Sequence, residues 1–374
     1  MSNAKKGLGS GMLLVSSALI LAALPIFLIG GLAVQIRTDL GFDETTLGAI
    51  VTAGFAMGAI AAPFGGRLAD RFGPRAAVGA GAVLSSIALV GIGGFASAWW
   101  HLVIFLAVSG LGVAITDPGL AILVGRVIPT ERQGLAFGVK EASIPTATLL
   151  AGLAVPVIAL TVGWRWAFSL GLVPLAIVVF LTRSVTGRGG VVVGEDAAAV
   201  APNPKRPLRG PLIVVAVAAA LGSAAASGVG VFITESAVAM GLTEASAGLV
   251  LAVGSVAGII ARVLAGVEAD RLGGTQFKLI ATMLGAGGLA ILLGATGNTL
   301  LLVLGTIGAF TGGWAWTGIF FLSLVRTNPS APGAAAGLGT ASLGLGNAAG
   351  PLMFGLVAQA ASFSIAWLTA GAVA

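Results

Sequence analysis

The sequence predicts an all-α membrane protein with twelve transmembrane helices, arranged as two six-helix halves that repeat one another. Three observations carry this prediction. The 374 residues are 57% hydrophobic and 9% charged, with a mean hydropathy of +1.07, whereas a soluble domain is about 45–50% apolar and about 25% charged. Apolar runs long enough to cross a ~30 Å hydrocarbon core recur along the whole chain. The chain also matches itself at a fixed offset of 200 residues.

The spans follow from hydropathy and from the helix breakers between them. The first, 12–36, follows Lys5 and Lys6. It is too long for a secretory leader, and no cleavage-like site followed by a soluble domain comes after it. The second and third, 45–67 and 76–97, flank the charged stretch "GGRLADRFGPR" at 65–75. The fourth, 101–126, holds Asp117 and Pro118, and the proline removes an amide and bends the helix. The fifth and sixth are 133–160 and 165–183. Residues 184–210, rich in Gly, Pro and charge, read as a flexible cytoplasmic linker that divides 1–183 from 211–374. The second half runs 211–238, 245–268, 277–297, 299–325, 333–359 and 362–374. The last span is expected to be cut short, because the copy of the sixth helix would reach about residue 383 by the repeat.

Basic residues orient the bundle. With both termini in the cytoplasm, Lys5, Lys6, Arg67, Arg71, Arg75, Arg126, Arg132, Arg183, Arg188, Lys205, Arg206, Arg209, Arg262, Arg271, Lys278 and Arg326 fall on or near that side. Arg37 and Arg165 fall outside, and Lys140 lies within a span. This is the positive-inside bias of a protein in a cell inner membrane. The pI near 10.8 therefore does not call for nucleic acid, because the charges are spread over separate loops and form no single patch. The absence of cysteine excludes disulfides and thiolate chemistry. One histidine, His101, and few acids speak against a metal site. No nucleophile–base constellation points to an enzyme. No phosphate-binding loop or other cofactor motif is present, so any transport draws on a gradient and not on ATP.

The repeat sets "ETTLGAIVTAGFAMGAIAAPFGGRLADRFG" on "EASAGLVLAVGSVAGIIARVLAGVEADRLG" without a gap. Glu44/Glu244, Gly48/Gly248, Gly54/Gly254, Gly58/Gly258, Gly66/Gly266, Asp70/Asp270, Arg71/Arg271 and Gly73/Gly273 coincide, as do Arg126/Arg326 and Pro129/Pro329 farther on. An even number of helices per copy inserts both halves in the same orientation, as parallel repeats about an axis along the membrane normal. The glycine spacings let helices approach closely and slide.

"GGRLADRFGPR" resembles the signature loop between helices 2 and 3 of the major facilitator superfamily. "GVEADRLGG" is a weaker copy between helices 8 and 9, and "GWRWAF" at 163–168 is another feature common in that family. Parts of the chain are similar to its cyanate-permease-like branch. The resemblance implies the major facilitator fold and transport by alternating access. It also implies a cluster around Gly66, Asp70, Arg71, Gly73 and Arg75 that ties helices together at the cytoplasmic side. Within the repeat, Arg126 and Arg326 are the partners offered to Asp70 and Asp270. The expected latches are Asp70–Arg126 and Asp270–Arg326, joined by Arg271, with plain loop stapling as the alternative.

Ionisable residues inside spans are functional candidates, since inserting one costs at least ~2.5–3.5 kcal/mol. Asp117 and Lys140 lie at similar depth on adjacent antiparallel helices, so they are placed to pair, and Glu141 follows on the next face. Lys140 would hold an anionic substrate while Asp117 or Glu141 takes up a proton; a purely structural pair is the alternative. Glu235 is the repeat-mate of Gln35, and with Arg37 these two form an expected outer gate or substrate entry site, with a plain wetted interface as the alternative for Glu235. Glu235 is a third proton-coupling candidate. Trp316 and Thr317, mates of Thr116 and Asp117, are expected to face the same cavity, with Asn347 as a polar contact. Trp314 and Trp316 are candidate substrate platforms, with a lipid or packing role favoured for Trp314, and Glu44 and Glu244 read as first-turn helix charges.

These readings converge on a monomeric secondary transporter in a lipid bilayer, moving a small organic anion with protons. A proton-driven drug exporter is the first alternative. Helix 5 reads "LLAGLAVPVIAL" without the Gly-Pro and paired glycines of exporters in this family. A non-transporting membrane sensor is the second alternative.

Overall fold

The computed structural model describes residues 2–128, 132–186, 211–328 and 332–374. Among them, eleven helices are long and apolar enough to cross a membrane, and a twelfth, Phe363–Val373, is shorter at 11 residues. Past Thr186 the expected linker lies outside the described residues. The spans agree with the sequence reading to within a few residues at most ends.

Helices 2 and 8 carry the repeat down to their caps. Helix 2 (Glu44–Phe72) opens on Asp43, whose side chain accepts from the Thr46 amide at 2.8 Å. Helix 8 (Glu244–Leu272) opens on Thr243, which accepts from Ser246 at 3.2 Å. Such caps satisfy amides that the helix leaves orphaned, at about 0.5–2 kcal/mol each. Both helices run 29 residues and stop at a glycine with positive φ, 84° at Gly73 and 61° at Gly273. A side chain there is strained, which explains why this loop glycine recurs in both copies.

Helices 3 (Pro74–Phe95), 4 (Trp99–Val127), 7 (Pro211–Ala239), 9 (Phe277–Leu293) and 11 (Pro332–Ala360) are continuous. Three others are interrupted, which hydropathy alone does not reveal. Helix 1 runs Ser2–Gly31, breaks at Leu32 and resumes as Ala33–Leu40. Helix 5 runs Gln133–Glu141, breaks at Ala142, resumes as Ser143–Ala154 and widens into a π segment at Val155–Ala159 before ending as Leu160–Val162. Helix 10 runs Thr299–Gly308, widens at Ala309–Gly313, turns, and restarts as Thr317–Thr327. Helix 6 (Trp164–Gly171, then Leu172–Thr186) opens as a 3₁₀ stretch.

The halves meet along two seams lined by small residues, as expected where helices pack without a hydrophobic driving force. In the helix 5–helix 8 seam, a Cβ added to Gly138 would lie 2.6 Å from the Arg262 carbonyl, and one on Gly152 2.6 Å from the Gly248 carbonyl. Between those levels the Thr148 and Ser255 hydroxyls bond at 2.6 Å. In the helix 2–helix 11 seam, Thr52 Oγ1 donates to the Ala348 carbonyl at 2.6 Å. Gly48 packs on the Pro351 backbone and Gly355 on that of Glu44.

Candidate functional site

Lys140 ends the first segment of helix 5 and is buried. Its Nζ lies 2.6 Å from Asp117 Oδ1 and 2.9 Å from Glu141 Oε1. Asp117 is 42% exposed at its side chain, against 5% for Lys140 and 9% for Glu141. The pair thus opens on one side only, through Asp117. At 1.5 Å per residue, Asp117 lies ~15 Å along helix 4 from its Val127 end, well inside the bilayer. Glu141 reaches the second half, where its Oε2 lies 3.5 Å from the hydroxyl of Thr317. That threonine is buried and begins the restarted part of helix 10.

Arg262 completes the cluster. It was expected near the basic loops; helix 8 instead carries it ~15 Å inward from Leu272. It is 2% exposed. Its Nη1 donates to the Glu141 carbonyl at 2.5 Å and its Nη2 to the Trp314 carbonyl at 3.0 Å, with the guanidinium 5.5 Å from the Trp314 ring centroid. The signal was present in the repeat, where the equivalent residue is Ala62. An arginine inserted in an otherwise apolar copy is costly and needs a reason.

Trp314 is buried and edge-on to Phe27 of helix 1 and Phe310, at 5.6 and 5.3 Å between centroids. Trp316 is fully buried, packs on Phe320 and donates its indole N–H to Gly313 at 2.8 Å, leaving no face open beside Asp117. Asn347 accepts from Ser223 at 2.7 Å, which joins helices 7 and 11 within one half.

A second charged network closes the opposite end. Gln35 Nε2 donates to Glu244 Oε2 at 2.6 Å across the halves. By the repeat, the mirror-image contact would set Glu235 against Glu44, two carboxylates together. Arg37 stands between them, with Nη1 2.7 Å from Glu235 and 2.9 Å from Glu44. Burial opposes the Arg37 charge, but the two glutamates outweigh it and hold its pKa above the ordinary value. Glu44 and Glu244 are first-turn residues as expected, and they also serve as partners in this network. Beside it lies a cavity of 390 Å³ lined by Val34, Arg37, Phe42, Glu235 and Phe363 among others. On the same face Asp39 accepts from Arg165 at 2.6 Å and from the Trp164 indole at 3.1 Å, and Arg165 also donates to the Ala96 carbonyl. The Arg165 hydrogen bond holds the Asp39 carboxyl below its ordinary 3.8. "GWRWAF" is therefore a staple between helices 1, 3 and 6.

At the arginine-rich end the expected pairing of Asp270 with Arg326 is not formed. Asp270 instead accepts the amides of Gly134 and Leu135, at 2.7 and 2.8 Å. These belong to the first turn of helix 5, whose amides lack helical partners and carry the positive end of the dipole. Arg326 donates to the Gly274 carbonyl at 2.9 Å inside its own half. Arg271 is 3.9 Å from Glu268, Arg71 lies over Phe72, and Arg75 is exposed. Gly66 has open space about it. The side chains of Asp70 and Arg126, the other expected pair, lie outside the described residues.

The family model "Major Facilitator Superfamily" matches residues 15–295. A gentisate transporter of Corynebacterium glutamicum is 31% identical over 142 residues, 36% of this chain and 31% of that protein. The quinolone resistance protein NorA of Staphylococcus aureus is 26% identical over 141 residues, 37% and 33% of the two chains. The matches thus span about a third of each of these relatives. Among solved structures, the xylose transporter XylE of E. coli in a partially occluded inward-open conformation superposes with a TM-score of 0.74. It covers 97% of this chain and 96% of that one at 18% identity, a likeness of fold.

Proposed function

Since this chain belongs to the Major Facilitator Superfamily, and is a multi-pass transporter by family and fold, we propose that it carries a small organic anion with protons by alternating access. It would act as a monomer in a cell inner membrane, with both termini in the cytoplasm. The observation that carries this reading is Lys140, buried and held between Asp117 and Glu141. An ammonium at this depth is retained only with partners, and one of its two partners, Asp117, has a side chain 42% exposed. A substrate carboxylate replaces Asp117 on Lys140, and the displaced carboxylate takes the proton. Substrate charge and proton then enter together, so no uncompensated charge is buried. The gentisate transporter among the relatives supports an aromatic acid as the first compound to try.

The two ends work as gates in this scheme. Asp270 on the first turn of helix 5 ties the halves at the arginine-rich, cytoplasmic end, and the Arg37–Glu235 and Gln35–Glu244 contacts tie them at the outer end. Glu235 is a second proton acceptor at that outer gate, since its Oε2 is buried without a partner.

Uptake of radiolabelled gentisate into proteoliposomes, driven by an inward proton gradient, tests the proposal. Uptake should collapse with an uncoupler and in Lys140→Ala. The similarity to NorA favours a second reading, drug export. Transport of cationic dyes undiminished in Lys140→Ala, with no movement of any acid, would replace the first reading by the second.

A further inference from the structure

Among the described residues no carboxylate side chain lies within salt-bridge distance of Arg262, and both arms of its fork go to backbone carbonyls. The two carbonyls share an origin. In an α-helix the carbonyl of residue 141 accepts from the amide of residue 145. Residue 145 is Pro145, which has no N–H to give. The chain breaks at Ala142, Thr146 bonds back to Ala142, and the Glu141 carbonyl is left over. In helix 10 the widened turn Ala309–Gly313 ends at Trp314, and the ladder resumes only with Phe320 donating to Trp316. The Trp314 carbonyl is thereby left outside the helix. Neither carbonyl has water to turn to, because Glu141 and Trp314 are buried. A buried carbonyl without a donor is costly, and at membrane depth irregular backbone persists only where protein satisfies it.

We infer that Arg262 is the positioning residue of the site, supplying by its two fork arms the donors that Pro145 and the break in helix 10 withhold. The guanidinium suits this role, because its planar donors reach two acceptors at once, whereas an ammonium is a point charge. The two acceptors belong to opposite halves. Arg262 therefore fastens the break in helix 5, where Lys140 and Glu141 sit, to the break in helix 10 that places Thr317 against Glu141. Its charge also brings the cluster of Asp117, Lys140, Glu141 and Arg262 to neutrality. When the halves part along the helix 5–helix 8 seam, Arg262 stays on helix 8 and releases Glu141, so the geometry around Lys140 changes with the conformation.

This role rests on reading the cluster as the transport site, but its test needs no substrate, so a failed flux assay and a failed test here are separate results. The test pairs Arg262→Met with Pro145→Ala. Alanine at 145 restores the amide that the Glu141 carbonyl lacks. Arg262→Met should lower the Tm of the detergent-purified protein by at least ~3 °C. Adding Pro145→Ala should recover a substantial part of that drop, since one of the two orphaned carbonyls regains a donor. Thr52→Val, which removes the Thr52–Ala348 bond in the helix 2–helix 11 seam, serves as the control, and Pro145→Ala should not rescue it. If Arg262→Met does not accumulate in membranes, Arg262→Lys, which keeps the charge but lacks the planar two-armed fork, enters the same comparison. Rescue confined to the Arg262 variants supports the inference. No rescue, or equal rescue of Thr52→Val, overturns it.

Discussion

Asp270→Asn removes one charge and one acceptor while keeping side-chain size. In the wild type, two first-turn amides of helix 5 donate to the Asp270 carboxylate at 2.7 and 2.8 Å. Hydrogen bonds to a charged group contribute about 1.5–3 kcal/mol net. Asparagine keeps one acceptor oxygen but turns an N–H₂ toward the other amide, so the loss is roughly one such bond. At about 1.4 kcal/mol per tenfold, contact at this end weakens by roughly 10- to 150-fold. A closed-to-open ratio of about 100:1 would then fall to between roughly 10:1 and 1:1. The chain has no cysteine, so Phe72→Cys and Leu272→Cys create a unique spin-label pair. These repeat-related positions are both 60% exposed and close helices 2 and 8 in opposite halves. Pulsed EPR should show a longer-distance population in Asp270→Asn. Arg326→Gln should leave the distribution alone, because among the described residues Arg326 bonds within its own half. An unchanged distribution in Asp270→Asn, or a larger shift in Arg326→Gln, would refute the assignment of the latch to the helix 5 N-terminus.

Two further expectations concern the end opposite the arginine-rich loops. Arg37→Gln leaves the buried Glu235 facing Glu44 without its cation, which should destabilise the protein by about 3–5 kcal/mol; adding Glu235→Gln should restore most of the lost Tm in thermal melts. Asp39 is held below its ordinary 3.8 by Arg165, so its contribution is complete above that value and is lost as pH falls through the lowered one. The Tm difference between wild type and Asp39→Asn should therefore be constant near neutrality, begin to shrink below about pH 4 and vanish as pH falls through the lowered value.

Much of this was legible in the sequence for identifiable reasons. Spans follow from length and hydropathy, because the bilayer admits little else than closed helical segments. The repeat at 200 aligned Gly73 with Gly273, and both have positive φ. Asp117 and Lys140 paired because equal depth on neighbouring antiparallel helices is a one-dimensional property that residue counting reaches.

What residue counting could not reach is azimuth. Trp316 shares its depth with Asp117 through the repeat, yet its ring turns into the packing around Phe320, because helix 10 unwinds between Ala309 and Trp316 and shifts every later side chain around the axis. Asp270 was matched to an arginine because charges are visible in a sequence. The amides of Gly134 and Leu135 that hold it are backbone groups any residue carries, and only the start of helix 5 in the other half brings them there. Arg262 counted as one more positive charge near a loop until helix 8 carried it inward to two carbonyls freed by breaks 173 positions apart in the chain. The sequence by itself determined the number, depth and pairing symmetry of the helices, because these depend on local hydropathy and on the repeat. The tertiary structure alone decided which backbone groups lose their helical partners and which side chain from the opposite half replaces them, because that depends on how interrupted helices rotate and pack against one another.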